Sequence, residues 1–126
     1  MAATSHAVDP DLANAFAELS MKKIQAESQI RLSNVQIESL NRKIQHTMLV
    51  EQEVASLPAD TKIYKAVGRM FLLQTQDLLI DNLKSKQQTF AEKIKTLEAS
   101  KEYLQRNIEE FKNNVRELVM TKQNSR

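Results

Sequence analysis

A leucine or phenylalanine falls at every seventh residue from Leu83 to Leu118: Leu83, Phe90, Leu97, Leu104, Phe111 and Leu118. Ile80, Gln87, Ile94, Lys101, Ile108 and Val115 repeat with the same period, three residues ahead of each. A straight α-helix turns once every ~3.6 residues, so a strict seven-residue repeat over this length demands left-handed supercoiling about a partner helix. The first set takes the d positions and the second the a positions of a heptad. A helix over 76–121 is therefore predicted to be one strand of a coiled coil. The alternative, one helix of a globular bundle, lacks other elements to complete the bundle.

A partner lies upstream in the same chain. Phe16, Lys23, Ile30, Ile37 and Ile44 fall at a, and Leu12, Leu19, Ala26, Ser33, Leu40 and Thr47 at d. This seam is apolar at its ends and weak around Lys23, Ala26 and Ser33. Asp9 before Pro10 is an N-cap with proline at the first helical position, where its missing N–H costs nothing. No proline follows until Pro58, so a first helix over 9–56 is predicted, after a flexible arm at 1–8. Met48, Leu49, Val50 and Val54 lie off this seam and point to a second buried surface near the helix end.

The chain has one glycine and two prolines in 126 residues, so it can reverse direction very few times. Two helices of similar length around a single reversal pair antiparallel, each about 70 Å long at ~1.5 Å per residue. Leu12, Phe16 and Leu19 are then expected beside Val115 and Leu118 at one tip, with Ile44 beside Ile80 and Leu83 at the base. A tail over 122–126 completes a single domain.

The reversal, over 57–75, contains "IYKAVGRMFLLQT", residues 63–75. β-branched and aromatic residues flank the only glycine, and Gly68-Arg69 fits a two-residue type II′ turn with glycine first. That register opposes Val67 to Met70, Ala66 to Phe71, Lys65 to Leu72 and Tyr64 to Leu73. One face then carries Tyr64, Ala66, Phe71 and Leu73, and the other Ile63, Val67, Met70 and Leu72. A lone two-stranded hairpin is marginal in water and leaves two open edges. Strands from several subunits joining edge to edge into a shared sheet or barrel would resolve this; the alternative is a distorted helical loop with "MFLLQT" already in the second helix.

Several functions find no support. No cysteine is present, so neither a disulfide framework nor a thiolate metal site can form. One glycine leaves no P-loop or dinucleotide fingerprint, and no cofactor is expected. The two histidines, His6 in the arm and His46 on the solvated side of the first helix, do not converge with other catalytic groups, so no enzymatic activity is expected. A net charge of +2 with interspersed signs calls for no nucleic acid. No apolar run approaches the ~20 residues that span a bilayer, and "MAATSHAVDPD" lacks the regions of a signal peptide. A soluble, intracellular protein, with no membrane partner, is expected.

A long helix, the "YKAVGRMFLLQT" hairpin and a second heptad helix carrying "AEKIKTLE", "YLQRNIEE" and "VRELVM" resemble the β-class subunits of prefoldin. The resemblance covers nearly the whole chain and is most specific at the hairpin and second helix. Arg69 departs from the glycine or asparagine of several β-class relatives, a change that a II′ turn tolerates. The resemblance implies a hetero-hexamer of α- and β-class prefoldin subunits whose hairpins build a double β-barrel platform bearing six coiled coils. It also implies capture of non-native actin and tubulin at the coiled-coil tips, and their delivery to the cytosolic group II chaperonin without nucleotide hydrolysis. The hairpin residues Ile63, Tyr64, Ala66, Val67, Gly68, Met70, Phe71, Leu72 and Leu73 would serve assembly.

Client contact is expected at the tip. Met21 falls at f on the first helix, and Val119 and Met120 at e and f on the second, off the seam. Methionine is flexible and polarizable and suits varied apolar partners. Leu12, Phe16, Val115 and Leu118 would join them where the terminal turns fray. A structural coiled-coil tether that binds no client is the other reading at this stage.

Overall fold

The computed structural model describes residues 9–124. The expected arm at 1–8, with His6, and residues 125–126 lie outside the described residues. The element order is α1 (Pro10–Ala55), β1 (Ile63–Val67), β2 (Met70–Gln74) and α2 (Gln76–Asn124).

Local chemistry fixes each boundary. At the start of α1 the amide of Asp11 donates to Asp9 Oδ1 (2.9 Å), and that of Ala13 donates to the Asp9 carbonyl (2.9 Å). Asp9 is thus the N-cap, satisfying donors that the first turn leaves free. At the other end the Ser56 amide reaches the Gln52 carbonyl (3.1 Å), the Ser56 hydroxyl donates to the Glu53 carbonyl (2.7 Å), and Pro58 prevents continuation. Thr75 caps α2: its hydroxyl accepts from the Leu78 amide (3.2 Å), and its carbonyl from Leu79 (3.0 Å). The Gln76 side chain donates to the Val54 carbonyl (2.7 Å), so the first residue of α2 closes the end of α1.

The strands pair antiparallel in the expected register, from Val67 opposite Met70 to Ile63 opposite Gln74. Gly68 has φ of 61°, and no other described residue has positive φ. Positive φ at the first central position alone is the type II′ pattern. A side chain at Gly68 would meet no neighbour, so the demand there is conformational and not steric.

The chain divides into two compact units, both built from segments of the two helices. The hairpin unit spans residues 35–97. Its core contains Ile37, Leu40, Val54 and Leu83, with Thr47 buried among them. The Thr47 hydroxyl donates to the Lys43 and Ile44 carbonyls (2.9 and 2.8 Å), so its burial strands no polar group. Gln87 donates to Glu51 (2.9 Å), and Lys84 lies 3.8 Å from the same carboxylate. Lys43 stands over the Phe90 ring, 5.8 Å from its centre.

The terminal unit spans residues 1–34 and 98–126, described from Asp9 to Asn124. Ala26, Ser33 and Val115 are buried among its described residues. Lys22 lies 4.3 Å from the centre of the Phe111 ring. Where the seam is weakest, beside Lys23 and Ala26, a cleft of about 380 Å³ remains, lined also by Leu104, Ile108 and Phe111. Within each unit partners on α2 fall in number as those on α1 rise, so the helices run antiparallel in both.

Every a and d position assigned on α2 is buried or half-buried. Two helices provide only a thin core, and no large described side chain is completely enclosed. Three expectations need correction. Val54 is 7% exposed because it continues the d series one heptad beyond Thr47; it is part of the seam. Met48 and Leu49 remain exposed, because none of the described residues covers the e and f side there. And α2 continues beyond 121, because Lys122 occupies the next a position and is held by the start of α1.

Candidate assembly and client surfaces

Among the described residues, none forms a covering layer on the hairpin. Tyr64, Val67, Met70, Phe71, Leu72 and Leu73 are exposed, Phe71 at 70%; Ala66 and Gly68 are also exposed, and Ile63 is half-buried. These residues occupy both faces, since neighbours along a strand point to opposite sides. Each apolar side chain left in water forgoes ~1.5–3 kcal/mol of burial. In addition, the two-stranded sheet keeps two free edges whose main-chain groups can accept another strand.

The predicted tip residues divide into three groups. Phe16 (47% exposed), Met21 and Met120 are open to solvent. Leu12, Leu118 and Val119 are half-buried. Val115, at 5% exposure, lies in the core and offers no surface unless the helices separate. Val119, placed off the seam at e, is half-buried because the e position borders the seam. Phe16 sits at a, yet a ring of its size overhangs a two-helix layer. Three exposed residues of the terminal unit escaped the sequence reading: Ile24 (64%), Leu32 and Tyr103. Their signal was present, since apolar residues at b and c positions point away from a heptad seam.

An ion cluster closes this unit. Lys122 Nζ lies 2.6 Å from Asp9 Oδ2 and 3.5 Å from Asp11 Oδ2. The hydrogen bond from Lys122, aided by the Asp11 amide, lowers the Asp9 carboxyl below its ordinary range; the bond to Asp9 raises the Lys122 ammonium. Among the described residues no group of three or more histidine, cysteine or carboxylate side chains could hold a metal. His46 is exposed. No described helix is long and apolar enough to cross a membrane.

Antiparallel helices joined by a hairpin whose faces and edges are left open by the described residues define a coiled-coil hairpin protein. A family model described as "Prefoldin subunit" matches residues 17–122, and the chain belongs to that family. It is similar to prefoldin subunit 1 of Mus musculus, 41% identical over 115 residues covering 91% of this chain and 94% of that one. Prefoldin subunit 1 of Arabidopsis thaliana is 29% identical over 105 residues, covering 83% and 82%. The fold matches the crystal structure of the prefoldin beta subunit from Thermococcus strain KS-1, with a TM-score of 0.72 at 21% identity, covering 89% of this chain and 95% of that one. The protein is therefore a prefoldin chaperone subunit, and its partners are other prefoldin subunits.

Proposed function

We propose that this subunit works in the cytoplasm within a hetero-hexamer of α- and β-class prefoldin subunits. There it holds non-native proteins, actin and tubulin chains among them, and passes them to the cytosolic group II chaperonin without catalysis of its own. Its hairpin supplies strands to a shared β-barrel platform. The observation that carries the reading is the hairpin, whose exposed faces and open edges have no use in a lone chain. Client contact falls to the terminal unit, where Phe16, Met21 and Met120 offer apolar surface, with Leu12, Leu118 and Val119 at its margin.

One reconstitution tests both halves. Phe71→Asp places a charge in a layer buried on assembly, so the variant should stay helical yet elute apart from the complex on a sizing column. Met21→Gln with Met120→Gln should enter the complex normally, since both sites are exposed and glutamine is a good helix former. That complex should protect diluted, denatured actin less well, in part only, because several subunits grip one client. Normal incorporation of Phe71→Asp would refute the assembly role. Unchanged protection of several clients by the double variant would move client binding elsewhere.

A further inference from the structure

Between Lys62 and Gln74 every charged side chain is a cation: Lys62, Lys65 and Arg69. All three are exposed, and among the described residues no carboxylate forms an ion pair with any of them. Lys65 is the middle residue of β1, with Leu72 opposite it on β2. It interrupts the face that also carries Ile63, Val67 and Met70.

The register determines what the open edges present. A two-residue turn makes Val67 and Met70 a hydrogen-bonded pair, and such pairs alternate along an antiparallel ladder. The main-chain groups of Tyr64 and Ala66 therefore face the free edge of β1, and those of Phe71 and Leu73 the free edge of β2. An antiparallel strand that uses all of β1 must bond to Tyr64 and Ala66. If that strand is β1 of a second copy, Tyr64 pairs with Ala66 and Lys65 falls directly opposite Lys65. Directly opposed Cβ atoms are ~5 Å apart, and like charges there oppose pairing. Sliding the two copies by two residues relieves the clash but sacrifices much of a five-residue strand. The β2 sequence, MFLLQ, carries no charge and imposes no such condition.

We propose that the β1 edge is a charge-selective docking edge. It takes a strand from a different prefoldin subunit that places Asp or Glu opposite Lys65, and it disfavours a second copy of this chain. Lys62 before β1 and Arg69 at the turn extend the same sign past both ends of the strand, so the whole edge favours an acidic neighbour. An edge lysine is also a recognised guard against unwanted strand pairing. The proposal rests on the assembly reading given above.

Competition for partners tests it. Wild type and Lys65→Glu are mixed in equal amounts with a limiting supply of the partner prefoldin subunits, and the complexes are weighed by native mass spectrometry. Wild type should be taken up about two- to tenfold in preference, with Lys65→Gln between the two. The bias should shrink as salt is raised, since exposed charges are screened. Circular dichroism of the free chains checks that all three are equally helical. Uptake of Lys65→Glu equal to or above that of wild type overturns the proposal while leaving assembly intact. Exclusion of all three chains, wild type included, would overturn the assembly reading itself.

Discussion

Single side chains of the seam differ in what they contribute because two helices bury few of them deeply. Leu83 is 8% exposed, whereas Leu97 and Leu104 are half-buried. Leu83→Ala should cost about 2–4 kcal/mol, and Leu104→Ala about half as much, since cavity and transfer losses both scale with the packing removed. Thermal melts should rank them in that order, with exposed Glu98→Ala within ~0.5 kcal/mol of wild type. The ion cluster adds a pH dependence. The depressed Asp9 carboxyl contributes stability that is present above its unfolded value of ~3.9 and is lost as pH falls through the lower folded value. The raised Lys122 contributes below ~10.4 and is lost as pH climbs through its higher folded value. The protection of the Ala13 amide, its exchange rate relative to the unfolded chain at the same pH, should therefore hold across the neutral range and fall at both extremes. In Asp9→Asn the acid limb should vanish; its survival would assign the effect to another group.

At the level of elements, the legible features were those set by a strict period or a local turn. The two-residue turn at Gly68-Arg69 defined the strand register, and the seven-residue repeat identified the buried side of α2 from Ile80 to Leu118. The less legible features depend on distant partners. Nothing local to Lys122 says that α2 continues through it; Asp9, from the other end of the chain, holds it there. Phe16 is more exposed than its heptad letter implies because the seam is only two helices wide. Which apolar surface would meet the proposed clients was least legible, since the fold does not require apolar residues at exposed b, c and f positions. The polar seam pairs, Glu51 with Gln87 and Asp9 with Lys122, give each unit a register mark of the kind that polar a residues provide in coiled coils. Gln76 joins one element to another by donating to the Val54 carbonyl. Gln76→Ala should cost about 1 kcal/mol and speed exchange of the Leu57 amide, which shares that carbonyl (3.2 Å). An unaltered melt and unaltered exchange would show that the link is incidental.

For the molecule as a whole, the single reversal between α1 and α2 has a consequence in time. Gln87 and Glu51 are 36 positions apart in the chain, whereas Lys122 and Asp11 are 111 apart. Closing the longer loop first would cost about 1 kcal/mol more in chain entropy, and contacts of low sequence separation form sooner. Folding should begin in the hairpin unit and reach the terminal unit last. Stopped-flow kinetics should then show Leu83→Ala slowing refolding, while Val115→Ala mainly hastens unfolding; the reverse pattern would place the nucleus near the termini. During synthesis the order is stricter, because the first turns of α1 are made long before the last heptad of α2 exists. Through that interval Phe16, Met21, Ile24 and the residues that will become the terminal core sit on an unpaired segment. The newborn subunit passes through a stage at which it is itself an unfinished apolar chain of the kind that the proposed function has it hold.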